Sequence, residues 1–257
     1  MNIKSQDNIS FNARLLSQWR CSTLTSKARN ISIIELEKRD IKFAKNFIQH
    51  VENVQTDSKT AREIMDSSSK TILEILQDKE NYSEKIKIYI ATYNESPCGI
   101  FIANMPKSSS YNDGVVYSSR HNPAKNETEL DWLVTWSPKG NERLKGIGKA
   151  LIGEYFRTVK KDKFRDVFVR AEVPEKSYAK SFYEHLGFEQ TGKKRVRLLN
   201  KNAAQSIIKD HTESNDETIP MIITRRKIIE MADNLAQKMN RKEFKEDSVD
   251  AKFLINI

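Results

Sequence analysis

The run Arg143-Leu144-Lys145-Gly146-Ile147-Gly148-Lys149-Ala150-Leu151 constrains this chain most. Two glycines stand directly ahead of an apolar helical pattern that spans about 144–159, with Ile147, Leu151 and Tyr155 on one stripe. Before it lies Leu130–Trp136, apolar enough for a central strand. After it come Val167–Ala171, with strand character, and a helical pattern over Ser177–Leu186. Gly187 is placed to stop that second helix in a left-handed conformation. Strand, helix, strand, helix from 130 to 186 predicts an α/β sheet with a crossover helix.

The flanking regions read less uniformly. Residues 1–30 are polar and mixed, and Phe11, Leu15, Leu16 and Trp19 predict a short docking helix there. Helices are expected over Asp40–Val51 (Ile41, Ala44, Phe47, Ile48, Val51) and Lys59–Leu76 (Ile64, Met65, Ile72, Ile75, Leu76). Ile86–Thr92 and Gly99–Ala103, joined through Asn94-Glu95-Ser96-Pro97, predict a β-hairpin. Residues 104–128 are rich in Ser, Asn, Pro and Gly and predict a surface loop around one short strand, Gly114–Tyr117. Ile219–Thr224 reads as a late strand. The tail from Lys227 to about Phe244 places Ile228, Met231, Leu235 and Met239 on one helical face, for packing on the domain or against a partner.

Bulk properties narrow the class. The chain has 257 residues, enough for one domain with additions or two modest domains. No apolar stretch approaches the roughly 20 residues that span a bilayer, and the first residues lack a secretory signal, so a cytoplasmic protein without a membrane role is expected. Cys21 and Cys98 form no disulfide framework. His50, His121, His185 and His211 show no metal-ligand spacing, and no metal is assigned. A net charge of +9, from 44 basic and 35 acidic side chains, favours polyanions or a small polyanionic cofactor; a merely solvated basic surface is the plain alternative.

The glycine turn has a direct chemical use. Gly146 and Gly148 lack Cβ atoms, so phosphate oxygens can approach the backbone closely. The first N–H groups of a helix have no partner within it, and aligned peptide dipoles favour an anion there. Leu144, Lys145, Gly146, Ile147, Gly148 and Lys149 would cradle a pyrophosphate, with Arg143, Lys145 and Lys149 adding charge and Lys139 and Lys160 near a further phosphate. A loop kept tight for packing is the plainer reading. The Gly-Lys-Ser/Thr ending of a P-loop is absent, and the Gly-x-Gly-x-x-Gly dinucleotide fingerprint is incomplete.

With Tyr183-Glu184-His185-Leu186-Gly187-Phe188 downstream, the chain resembles the GCN5-related N-acetyltransferase (GNAT) superfamily. Its Arg/Gln-x-x-Gly-x-Gly/Ala pattern stands as Arg143–Gly148, and its Tyr-x-x-x-Gly-Phe as Tyr183–Phe188. The resemblance is specific over about 130–190 and looser from 33 to 225. It implies a mixed, mostly antiparallel twisted sheet flanked by helices over 31–225, with an N-terminal extension (1–30) and a C-terminal helical extension (226–257). It implies acetyl-coenzyme A as cofactor, its pyrophosphate on Leu144–Lys149 and its pantetheine arm along Leu130–Trp136, with Trp136 beside it. It also implies Tyr183 as general acid toward the leaving thiolate; apart from the motif, Tyr183 reads as a core aromatic beside Phe182 and Phe188. Two departures stand out. Lys176 occupies the place of the family's frequent Asn, followed by Ser177 as the remaining cofactor contact there. The link Ser137–Glu142 is about two residues longer than usual.

The resemblance therefore implies transfer of an acetyl group to a primary amine of an unidentified small-molecule, peptide or aminoacyl acceptor. Glu172 and Asp131 are the preferred candidates for the base, with Glu129 on the same side of its strand as Asp131. Each also reads as an ordinary salt-bridged or solvated carboxylate. Trp132 and Trp136 suit either a cleft or the core. The contrasting function is a non-catalytic domain of this fold that binds protein or nucleic acid through its basic face, although aromatic and basic residues do not interleave as stacking platforms. Homodimerisation is compatible with either.

Overall fold

The computed structural model describes residues 13–23, 27–54, 59–78, 86–94, 96–105, 127–137, 144–161, 168–174, 177–191, 195–196 and 217–244. Its strands in chain order are β1 (Arg14–Thr23), β2 (Ala28–Leu36), β3 (Ile86–Tyr93), β4 (Ser96–Asn104), β5 (Glu127–Thr135) and β6 (Leu144–Lys145). There follow β7 (Phe168–Pro174), β8 (Glu189–Gln190), β9 (Arg195–Val196), β10 (Glu217–Thr224) and β11 (Lys242–Glu243). The helices are α1 (Ile41–Glu52), α2 (Lys59–Gln77), α3 (Ile147–Lys161), α4 (Ala179–His185) and α5 (Arg225–Lys238). Together they make a mixed β-sheet flanked by α-helices. The chain divides into two units: Met1–Ala103 with Trp132–Tyr155 and Asn234–Ile257, and Asn104–Asp131 with Phe156–Asp233.

In the first unit, antiparallel pairing orders the sheet β1-β2-β3-β4, with β11 and β6 both on the outer edge of β1. α1 and α2 form as their apolar spacing requires, burying Phe43, Ala44, Phe47, Ile48 and Val51 from one and Met65, Ile72 and Leu76 from the other. These side chains close over Ile34, Leu36, Ile88, Ile90, Ile100 and Ile102. Each fully buried aliphatic contributes about 1.5–3 kcal/mol. The opposite side of the sheet is also covered, which explains the unbroken burial of Ile88–Thr92 and Pro97–Ala103. There Tyr89 stacks on Phe101 at 5.8 Å and Phe101 meets Tyr155 of α3 at 5.1 Å. Glycines let α3 lie close. A Cβ on Gly153 would come within 2.7 Å of the Trp19 ring, and one on Gly99 within 3.0 Å of Leu151.

Residues 14–23 form a strand, not the docking helix expected. Leu15, Ser17, Trp19, Cys21 and Thr23 are buried in strict alternation, and eight register pairs join β1 to β2. The glycine-led helix begins at Ile147 rather than Leu144, because Leu144 and Lys145 pair with Thr23 and Ser22. The C-terminal helix ends at Lys238, where Asn240 (φ 44°) turns the chain into β11. Ile228, Leu235 and Met239 are buried on its expected face, within the protein itself.

In the second unit, β10 pairs antiparallel with β7 along its whole length and carries β8 and β9 on its other edge. β5 joins β7 in parallel from Glu127↔Phe168 to Leu130↔Ala171, the crossover pairing expected from strand–helix–strand order. The strand candidate Gly114–Tyr117 lies outside the described residues, as do Lys139, Arg143, His121 and His211.

Candidate functional site

The glycine turn is held from three sides within the first unit. Antiparallel pairing with Ser22 and Thr23 fixes Leu144 and Lys145. Gly146 then adopts φ +102°, a conformation L side chains rarely take. A Cβ there would lie 3.2 Å from Met239 Cε and 3.5 Å from Cys21 Sγ, so the turn rests on these two sulfur side chains. The Ala150 N–H donates to Gly146 O at 2.9 Å, the first bond of α3. Among the described residues, no hydrogen bond uses the N–H groups of Ile147, Gly148 or Lys149. Gly146 and Gly148 are half-buried, and Lys145 and Lys149 are exposed. The result is a set of unused donors at a positive helix end with two ammonium groups beside it. Lys160 is different: it sits near the far end of α3 and is paired with Asp233 at 2.7 Å.

Further along α3, Glu154 anchors the helix from below. Its carboxylate accepts Ser17 Oγ (2.6 Å), Trp19 Nε1 (3.1 Å) and both Nε (2.9 Å) and Nη2 (2.7 Å) of Arg241. The Glu154 and Arg241 side chains are each only 5% exposed, so neither charge tolerates loss of the other. Burial alone would lower the Arg241 pKa, but the hydrogen bonds and charge of Glu154 outweigh it and the net shift is upward. Glu154 is easily missed in the sequence. Its signal is a carboxylate seven residues after Ile147 on the apolar stripe, which calls for a buried cation.

Trp136 packs beside Trp132 and Val134 against the α1/α2 core, its indole donating to Pro97 O at 2.8 Å and its backbone N–H to Cys98 O at 3.0 Å.

The remaining candidates belong to the second unit. Tyr183 is buried at 9% exposure, edge-on to Phe182 (5.3 Å) and Phe188 (5.0 Å). Its carbonyl accepts the N–H groups of Leu186 and Phe188 around Gly187, whose φ of +85° ends α4 as expected. Ser177 turns inward on its own chain: its hydroxyl donates to Pro174 O (2.8 Å) and accepts the Ala179 N–H (3.2 Å). Glu172 is ion-paired with Arg170 and accepts the Thr218 hydroxyl at 3.1 Å. Asp131 is the first residue of β5 past the ladder to β7 and accepts Asn104 Nδ2 at 3.2 Å, while Glu129 is exposed. The two preferred carboxylates thus take different partners. His185 bonds back to Ser181 O at 2.6 Å, within its own helix.

Both cysteines are free and buried. Desolvation pushes the Cys21 thiol from its ordinary 9.0 to about 12, and Cys98 is also driven upward, by burial and by Cys21. Among the described residues no cluster of His, Cys, Asp or Glu has the makings of a metal site, and no helix is long and apolar enough to cross a membrane.

No family model and no curated protein matches this chain. Among solved structures it is similar to an uncharacterized protein from Bacillus halodurans, at 8% identity and a TM-score of 0.48, over 88% of this chain and 98% of that one. It is similar to Mycobacterium smegmatis RimJ in complex with CoA-disulfide, at 12% identity and 0.46, over 86% and 93%. A third is an aminoglycoside acetyltransferase, AAC(6')-Ib, in complex with coenzyme A, at 16% identity and 0.44, over 78% and 98%.

Proposed function

We propose that the protein is an acetyl-coenzyme-A-dependent N-acetyltransferase acting on a primary amine. The observation that carries this reading is the start of α3: Gly146 at positive φ, three backbone donors at Ile147, Gly148 and Lys149 that no described residue uses, and exposed Lys145 and Lys149. These groups fit a diphosphate, because amides at a helix start beside two exposed lysines favour an anion. Leu144–Lys149 would hold the pyrophosphate, with Arg143 adjoining in sequence. When bound, acetyl-coenzyme A supplies an activated acyl thioester.

The chain's own residues then have defined tasks. Tyr183 has a phenolic donor suited to protonating the leaving sulfur as the carbon–sulfur bond breaks. A carboxylate takes the proton that the amine loses on forming the amide, directly or through water. Of the two candidates Asp131 is preferred, because the Glu172 carboxylate is already engaged by Arg170 and by the Thr218 hydroxyl. β5 amides beyond Leu130, past the end of the β7 ladder, would serve the pantetheine arm or the acetyl oxygen. Trp136 supports this strand from the core side, and Ser177 shapes the entry to α4.

Calorimetric titration with acetyl-coenzyme A tests the reading. Saturable binding is expected, and its absence sinks the proposal. Binding without transfer to any member of a broad amine panel would replace it with a non-catalytic domain of the same fold.

A further inference from the structure

The outer edge of β1 carries two segments end to end. Ser22 and Thr23 pair with the entry to the glycine turn. Next along the same edge, the Arg20 N–H donates to Met239 O at 2.7 Å, Gln18 and Ser17 pair with Lys242 and Glu243, and the Phe244 N–H donates to Leu16 O at 3.0 Å. The Met239–Phe244 segment is thus a strap laid against the strand that also holds the turn. From the strap, Met239 reaches under Gly146, 3.2 Å from where its Cβ would be, and Arg241 grips Glu154 eight residues further along α3. Both ends of this half of the helix are therefore set by one distant stretch of chain.

Resting on the reading of that helix start as an anion cradle, we infer that Met239 is a positioning residue for the cradle, with the Arg241–Glu154 pair fixing the helix behind it. Met239 Cε lies 3.2 Å from where a Gly146 Cβ would stand, and among the described residues it takes none of the turn's amide donors. Its thioether sets how far Gly146 sinks, and hence where the N–H groups of Ile147, Gly148 and Lys149 stand. A rigid floor of this kind lowers the cost of ordering the turn around a ligand.

Arg241 is the poorer test, because its loss leaves Glu154 charged and unpaired in the interior and threatens the fold. The experiment uses the full chain with Met239→Ala, Met239→Leu and, as a control of similar destabilisation on α1, Ile48→Ala. Two quantities are read: exchange of the Ala150 amide, which reports the Gly146–Ala150 bond in the free protein, and acetyl-coenzyme A affinity by calorimetry. Met239→Ala is expected to speed Ala150 exchange by about tenfold, with Tyr155 unchanged, and to weaken binding roughly tenfold. Met239→Leu restores both, and Ile48→Ala alters neither. Wild-type exchange and affinity in Met239→Ala, or equal changes in Ile48→Ala, overturn the inference. If the wild-type protein fails to bind acetyl-coenzyme A, the functional reading falls, while Ala150 exchange still decides whether Met239 positions the turn.

Discussion

α3 and α4 begin in opposite ways. α4 satisfies the first amide of its own start: Ser177 Oγ takes the Ala179 N–H and donates to Pro174 O. α3 begins at a glycine with φ +102°, and among the described residues nothing uses its first three N–H groups. The same helix geometry thus yields one end whose first amide is filled by a local hydroxyl and one end where it is left to a ligand or water. What separates them is a hydroxyl within reach of an amide in one case, and glycines flanked by lysines in the other.

The largest effect should come from closing the start of α3. Gly146→Val forces a β-branched residue into positive φ, a strain of about 1–3 kcal/mol, and drives its Cβ against Met239. Acetyl-coenzyme A affinity should fall by about 100-fold or more, equivalent to roughly 2.7 kcal/mol; calorimetry giving the wild-type value would show that the cradle is elsewhere. On the other helix, Tyr183→Phe keeps the edge-on packing with Phe182 and Phe188. Turnover should drop up to about 10²-fold with cofactor affinity unchanged. Unaltered turnover would return Tyr183 to a purely packing role.

Ser177→Ala sharpens the contrast at smaller scale. Losing the cap should cost about 1 kcal/mol of stability in denaturant unfolding and leave binding intact; a large loss of affinity would make Ser177 a cofactor ligand after all. The smallest effect concerns the floor beneath Gly146. With its pKa raised from 9.0 to about 12, Cys21 favours the folded state while it is protonated. That contribution is full below pH 9 and is lost as pH rises toward 12. A thiol reagent at pH 8 should leave the folded protein unmodified and label both cysteines once it unfolds. Rapid native labelling of Cys21 would mean the floor is open.

Much of this was legible in the residues. Ile41–Val51 shows its helical period plainly, since its buried positions are all apolar, and Ile86–Ala103 reads as a hairpin because two nearly all-apolar runs flank one polar turn. β1 was not, because Ser17 and Thr23 occupy buried positions in its alternation while Leu15, Leu16 and Trp19 mimic a helical turn. Ser17 is inside because it serves Glu154, a partner 137 residues away. The same distance hid Arg241, whose role depends on a carboxylate 87 residues earlier. The glycine-led start of α3 was readable because its signal is local. The setting of Glu172 was only half readable, since Arg170 stands two residues away on its own strand but Thr218 becomes its neighbour only through the β7–β10 pairing.

The interlocking of β1 with Met239–Phe244 also bears on how the molecule comes into being. Synthesis runs from the amino end, so the first unit stays incomplete on the ribosome until residues beyond Asn234 have emerged. The second unit, drawn from Asn104–Asp131 and Phe156–Asp233, has all its residues earlier. β1 must therefore wait for the Met239–Phe244 segment, a loop closure over more than two hundred residues that favours slow, late maturation of the first unit.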